Sequence, residues 1–161
     1  TASAHILVFH HEPNGPASRW ALTTVPGDEV SAQIMGGTRY RTPEPGQRML
    51  LVGDPASAPA MVEAVNAADA TCRIVVVLQS SDDSPPLPGR EHRLIRVPPE
   101  DPAALTDAVQ EALGRARPDW AWVALESAAT KSIRRLVGSA GVPRRAIQAQ
   151  AYWIRGRAMG T

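Results

Sequence analysis

From residue 49 onward, short apolar runs rich in β-branched residues alternate with segments of helical spacing, and this alternation constrains the chain more than any other feature. Met49 to Val52 and Arg73 to Leu78 have the composition of strands buried on both faces; the second, with Ile-Val-Val-Val-Leu, has the strongest central-strand character. His92 to Val97, Trp120 to Leu125 and Ala146 to Trp153 complete the strand pattern. Between them, Ser57 to Ala68, Asp101 to Arg115 and Ser127 to Val137 carry helical spacing, the last ended by Gly138 and Gly141. Leu105, Ala108, Val109, Ala112 and Leu113 repeat at the intervals of one helix face. Strands that alternate with helices cross over right-handedly and pair in parallel, so residues 49–161 are expected to form a doubly wound α/β domain.

The first part of the chain reads differently. Ala4 to His11 is a predicted strand closed by Glu-Pro-Asn-Gly at 12 to 15, and a short helix is expected from Gly15 to Leu22, with Pro16 at its first position. Val25 to Asp28 is a turn, Glu29 to Met35 a second strand, and Gly36-Gly37 breaks it. The polar, breaker-rich stretch that follows divides the chain into residues 1–38, a linker 39–48 and the domain 49–161.

Lys+Arg 17 against Asp+Glu 16 leaves a formal charge of +1, which gives no sequence-independent grip on nucleic acid. Cys72 is the only cysteine, which excludes an intrachain disulfide and favours a reducing, cytoplasmic setting. No apolar run reaches the roughly 20 residues that span a bilayer, so any membrane contact is expected from another segment or chain. Gly-x-Gly-x-x-Gly, a P-loop and a Gly-x-Ser-x-Gly elbow are all absent. His5, His10, His11 and His92 lack metal-ligand spacing with one another or with Cys72, and no carboxylate pair marks acid–base chemistry. The chain thus carries no expected metal site and no expected proton-transfer catalyst.

What remains lies at strand ends, where parallel sheets bind ligands. Tyr152, Trp153, Arg155 and Arg157 follow the last strand and suit a planar or anionic ligand, or else a capping aromatic and a solvated basic tail. Gly53, Asp54 and Ala56 join a strand to a helix: the glycine would admit ribose or phosphate, while Asp54 equally suits an N-cap. Glu126 occupies a similar junction, where the helix dipole also favours a carboxylate. Gly15, Pro16, Ala17, Ser18 and Arg19 offer a helix start, a hydroxyl and a guanidinium for a pyrophosphate, or a plain surface helix with Trp20 in the core.

These motifs occur in a recognisable order. Gly15-Pro-Ala-Ser-Arg-Trp-Ala21, Pro26-Gly-Asp28, Leu51-Val-Gly-Asp54 with Ala58-Pro59, Trp122-Val-Ala124 with Glu126, and Ala151-Tyr-Trp153 with Gly156-Arg157 resemble the siderophore-interacting protein family of flavin-dependent ferric-siderophore reductases. Gln148-Ala-Gln-Ala-Tyr-Trp153 and Gly156-Arg-Ala-Met-Gly-Thr161 point, within it, to the domain fused to mycobacterial ABC importers of iron-loaded carboxymycobactin.

The resemblance implies a ferredoxin-reductase-like architecture, an FAD-binding β-barrel followed by an NAD(P)H-binding α/β domain. Residues 1–38 would be the end of the barrel, and its N-terminal segment would be missing. The family's flavin-gripping Arg-x-Tyr-Ser/Thr element is not matched, because Arg39-Tyr-Arg-Thr42 has the wrong spacing and follows the Gly-Pro-Ala-Ser segment. By the same resemblance Gly15, Pro16, Ala17 and Ser18 hold the FAD pyrophosphate, Gly53, Asp54, Ala56 and Glu126 border NAD(P)H, and Tyr152 and Trp153 lie near the flavin. Arg19, Arg155 and Arg157 would attract an anionic ferric siderophore, with an ABC transporter membrane domain as a further partner and the cytoplasmic face of the inner membrane as the place. Two departures count against tight pyridine-nucleotide binding: Gly53-Asp-Pro-Ala-Ser-Ala-Pro59 for the usual Gly-Asp-Glu-Thr-Ala-Leu-Pro, and Leu125 where the family has glycine, expected to add bulk in the crevice. Those departures keep a non-catalytic siderophore-docking module in view beside the reductase, with a plain scaffold as the third reading.

Overall fold

The structure, a computed structural model, describes residue 8 and residues 15–31, 40–81 and 92–157. The chain divides into two compact units, Thr1–Arg39 and Tyr40–Thr161. In the first, helix α1 spans Pro16–Thr23. Proline at its first turn lacks only an N–H that the helix would not use, and Gly15 precedes it in extended conformation. Asp28 closes the turn that follows, accepting from the Val25 N–H at 2.9 Å and the Thr24 hydroxyl at 3.1 Å. Trp20 is 39% exposed, so it is not the core residue that a plain surface helix would need. The expected strand 29–35 is not formed over its described part, residues 29–31, and its remainder lies outside the described residues, as does the expected strand 4–11 apart from Val8.

The second unit is the expected doubly wound α/β sheet. In chain order it comprises β1 (Arg48–Gly53), α2 (Ala58–Ala67), β2 (Arg73–Gln79), β3 (Arg93–Val97), α3 (Pro102–Arg115), β4 (Trp120–Ala124), α4 (Ser127–Ser139), a 3-10 turn at Arg144–Ala146, and β5 (Ile147–Ala149). The strands lie in the order β3-β2-β1-β4-β5 and every pairing is parallel. The chain therefore winds outward from β1 to β3, returns through α3, and resumes on the other side of β1 at β4. That reversal gives the middle of the sheet to β1 and leaves β2 one place inside the edge. The apolar run of β2 marks burial on both faces, which interior strands share whether or not they are central.

Alternation of side chains splits each strand between two cores. Met49, Leu51, Val76 and Trp122 pack under α2 through Met61 and Val65. Leu50, Val52, Val77 and Val123 face α3 and α4 through Leu105, Val109, Ile133 and Val137. Among the described residues α2 is the helix on this face, and aromatics pack beside it. The Tyr40 and Trp120 rings meet edge to face at 5.4 Å, and Trp122 and Tyr152 do so at 5.9 Å.

Two boundaries differ from the sequence expectation. Helix α4 runs through Gly138 to Ser139, and the left-handed turn falls at Gly141 (φ +86°), the residue that needs the glycine. The last strand contains only Ile147–Ala149, because β4 gives way to α4 at Ser127 and leaves no ladder to extend. Beyond it, Gln150 and Tyr152 still donate to the carbonyls of Val123 and Leu125, and Glu126 and Trp153 form a single parallel bridge.

Gly53, at the end of β1, is fixed by packing. A Cβ there would come within 2.4 Å of both Ser57 Oγ and Met61 Sδ, and Met61 has no exposed surface into which to retreat. Gly53→Ala is expected to destabilise the chain by about 1–3 kcal/mol through overpacking, read as a lower midpoint in urea denaturation with an unchanged slope.

Candidate functional site

The crossing-back of the chain between β1 and β4 creates a switch point, and the carboxyl ends of those two strands are the place to look for a ligand. On the β1 side, Gly53 leads into a tight turn. Asp54 N–H donates to Ser57 Oγ at 3.0 Å, Ser57 Oγ–H to the Asp54 carbonyl at 3.0 Å, and Ser57 N–H to Asp54 Oδ1 at 3.2 Å. Ser57, not Asp54, is the N-cap residue of α2. The expectation that Gly53 leaves room for a ligand fails, since its own helix fills that space.

Asp54 turns its second oxygen outward along the rim. Oδ2 accepts the indole N–H of Trp153 at 2.7 Å, joining residues 99 apart in sequence. Asp54 is 6% exposed. Burial pushes its carboxyl above the ordinary aspartate range, against the opposing pull of the Trp153, Ser57 and Ala56 donors. Ala56 thus spends its N–H on this carboxylate.

On the β4 side, Leu125 is held by Thr130, whose buried hydroxyl accepts from the Leu125 N–H and donates to its carbonyl, both at 3.1 Å. The Leu125 side chain is wholly buried in the α3–α4 core, so it adds no bulk at the crevice, contrary to expectation. The alternation that sends Val123 into that core sends Leu125 there too. Glu126 is the N-cap of α4, with Oε2 accepting the N–H groups of Ala128 and Ala129 and Oε1 facing the Arg155 N–H at 3.5 Å. Slight burial pushes its carboxyl up, but the N–H groups of Ala129, Ala128, Arg155 and Ser127 outweigh that and hold it below the ordinary range.

The segment after β5 runs along this rim. Ser127 N–H donates to the Trp153 carbonyl at 2.9 Å. Tyr152 turns back against Trp122 and the α2 core, and burial, then the Asp54 charge, raises its phenol above the usual value. The Arg155 guanidinium lies 5.7 Å from the centre of the Trp153 ring and pairs with Glu100 at 2.9 Å. Glu100 adopts a left-handed backbone (φ 60°), which is uncommon for a residue with a side chain. Gly156 (φ 71°) turns the chain so that Arg157 N–H meets the Ile154 carbonyl at 3.1 Å.

Of the residues singled out from the sequence, Gly53, Asp54, Ala56, Glu126, Tyr152, Trp153 and Arg155 therefore meet at one rim, and Arg157 stands exposed beyond the turn. Gly15, Pro16, Ala17, Ser18 and Arg19 lie in the first unit, where Ser18 is buried and Arg19 exposed on α1. Sequence reading passed over Ser57, Thr130 and Glu100. The first two stand four residues after Gly53 and Glu126 respectively, spacings that a turn-hydroxyl search would catch; Glu100 carries no such signal. Among the described residues no group of His, Cys, Asp and Glu is arranged to hold a metal ion, and no helix is long and apolar enough to cross a membrane.

The family profile described as siderophore-interacting protein matches residues 46–156. The chain is 37% identical, over all of its length, to the mycobactin import ATP-binding/permease protein IrtA of Mycolicibacterium smegmatis, and covers 19% of that protein. Against IrtA of Mycobacterium tuberculosis it is 39% identical over 96% of the chain and 18% of the relative. Among solved structures, a siderophore utilization protein from T. fusca superposes with a TM-score of 0.67 at 25% identity, covering 94% of this chain and 60% of that one. The chain thus spans less than a fifth of these importers and under two thirds of that structure.

Because the folded-state pKa of Asp54 is raised, folding gains from its protonation: that stability is complete below the unfolded value near 3.9 and is lost as pH rises through the folded value. Asp54→Asn keeps an acceptor for the indole and removes the charge, so stability measured by urea denaturation from acid to neutral pH is expected to lose this downward component. Trp153→Phe does the opposite. It strips the carboxylate of its indole donor and should cost about 1–3 kcal/mol at neutral pH and visibly less in acid, where the carboxyl is neutral.

Proposed function

The chain belongs to the siderophore-interacting protein family, and from that membership we propose that it supplies the pyridine-nucleotide side of a flavin-dependent ferric-siderophore reductase. When bound, NAD(P)H and FAD would provide hydride and single-electron transfer to chelated Fe(III), the iron leaving as Fe(II). The observation that supports this most is the hydrogen bond from Trp153 to Asp54 beside Glu126, which gathers an aromatic face and two carboxylates at the switch point.

The residues present fit the aromatic end of such cofactors better than their phosphates. Trp153 offers an indole face, steadied by the Asp54 carboxylate at its edge. Glu126 already occupies the N–H groups of Ala128 and Ala129, which closes the start of α4 to a pyrophosphate. A flavin pyrophosphate is assigned by resemblance to Gly15, Pro16, Ala17 and Ser18 in the first unit. In this reading Asp54 is a positioning residue that fixes the plane of the indole, and Arg155 with Arg157 draws an anionic ferric chelate toward the rim. Arg19 is assigned the same role from α1. The importer relatives suggest a setting beside a siderophore transporter, at the cytoplasmic face of a membrane.

A specific observation favours a second reading, a docking module without turnover. The indole N–H of Trp153 is taken by Asp54, and Arg155, paired with Glu100, lies over the ring, so an edge and a face of the indole are already engaged. Leu125 lends that reading no support, since its side chain is buried elsewhere.

The two separate under anaerobic conditions, in protein that carries this chain behind a flavin-binding barrel, mixed with FAD, NAD(P)H and a ferric siderophore. Bleaching of the flavin absorbance followed by trapping of Fe(II) in a coloured chelate is expected for the reductase. Chelate binding without bleaching supports docking, and neither result sinks both. If the reductase reading holds, Asp54→Ala should slow flavin bleaching by about tenfold to a hundredfold through loss of alignment, while Asp54→Asn, which still accepts from the indole, retains most of the rate.

A further inference from the structure

A second feature lies away from the rim, on the open flank of the sheet. Helix α4 buries Thr130, Ile133 and Val137 and turns Lys131, Arg134 and Arg135 to solvent. The 3-10 turn before β5 adds Arg144 and Arg145, both exposed. No acidic residue occurs between Ser127 and Ile147, although acids and bases are nearly balanced over the whole chain. Among the described residues, none of these five cations takes part in an ion pair; the ion pairs present involve Arg93, Arg115 and Arg155.

Four of the five line a groove of about 500 Å3 between α4 and the edge strand β5, together with Gly138, Val142 and Ile147. Like charges crowded on a helix at i, i+3 and i+4 are mutually unfavourable. A second basic element placed across a groove from them adds to that repulsion, which a bound anion would relieve. Arginine predominates over lysine, and its planar fork of donors matches the paired oxygens of a phosphate.

We propose that this groove is a binding site for phosphate groups, carried on a soluble polyphosphate compound or on the headgroup of an anionic phospholipid. None of its lining residues belongs to the switch-point rim, so the site stands whether or not the chain is part of a reductase. Recognition is by charge and geometry, and its strength falls as salt rises.

The test uses the full 161-residue chain with two probes, inorganic tripolyphosphate by titration calorimetry and vesicles of phosphatidylcholine with or without phosphatidylglycerol by co-sedimentation. Tripolyphosphate is expected to bind, and the double variant Arg134→Gln/Arg144→Gln to weaken it about tenfold or more by removing two charge-assisted contacts. Arg115→Gln removes a cation from α3, outside the groove, and should leave binding unchanged. Sedimentation only with phosphatidylglycerol vesicles, relieved by tripolyphosphate, identifies the lipid headgroup as a source; tripolyphosphate binding without sedimentation identifies a soluble one. Binding of neither probe would overturn the proposal. So would binding that the double variant leaves intact while its thermal midpoint is unchanged, or a single-stranded oligonucleotide of equal phosphate content that binds and is not displaced by tripolyphosphate.

Discussion

A buried carboxylate meeting an indole N–H is the contact on which the rim of this protein depends. Asp54 ends the middle strand of the sheet and Trp153 ends the chain's last pass along it, and 2.7 Å separates their polar atoms. An ion in that position is costly unless donors surround it. Here the Ser57, Ala56 and Trp153 N–H groups do so, yet the carboxyl still sits above its ordinary range because burial is the larger effect. The contact offsets part of that burial cost and orients the indole. It fixes the plane of an aromatic ring at the switch point of the sheet.

What aims Trp153 is its neighbour. In an extended segment successive side chains point to opposite sides, so anchoring one directs the next. Tyr152 is anchored edge to face on Trp122, in the core beneath α2, and Trp153 is consequently delivered to the rim. Trp120 and Tyr40 pack edge to face in the same core. Aromatic packing on the α2 face thus becomes the scaffold of the candidate site.

Much of this was readable from residues alone, and the failures have a common cause. Strand and helix periods located the elements of the second unit because burial on two faces leaves a strong imprint on composition, as in β2. They did not reveal strand order, since β1 and β2 look alike when both are interior. Trp153 and Asp54 were each visible as candidates, but their pairing spans most of the domain and leaves no local mark. Gly53 and Leu125 were misread in the same way: each was judged by its place beside a strand end, whereas the direction of its Cβ decides the matter. For Gly53 that direction meets Ser57 and Met61, and for Leu125 it enters the α3–α4 core.

The charges at the rim follow from these constraints. The N–H groups at the start of α4 favour the ionised form of Glu126, and Asp54 is held in place by Trp153, so carboxylate charge lies at the strand ends. Arg155 offsets it from above the indole, itself steadied by Glu100 across the turn before α3. The Arg155–Glu100 pair is itself exposed, and such surface pairs contribute only about 0–1 kcal/mol. The rim is thus held by its inner contact, between Trp153 and Asp54, while its outer pair is exposed.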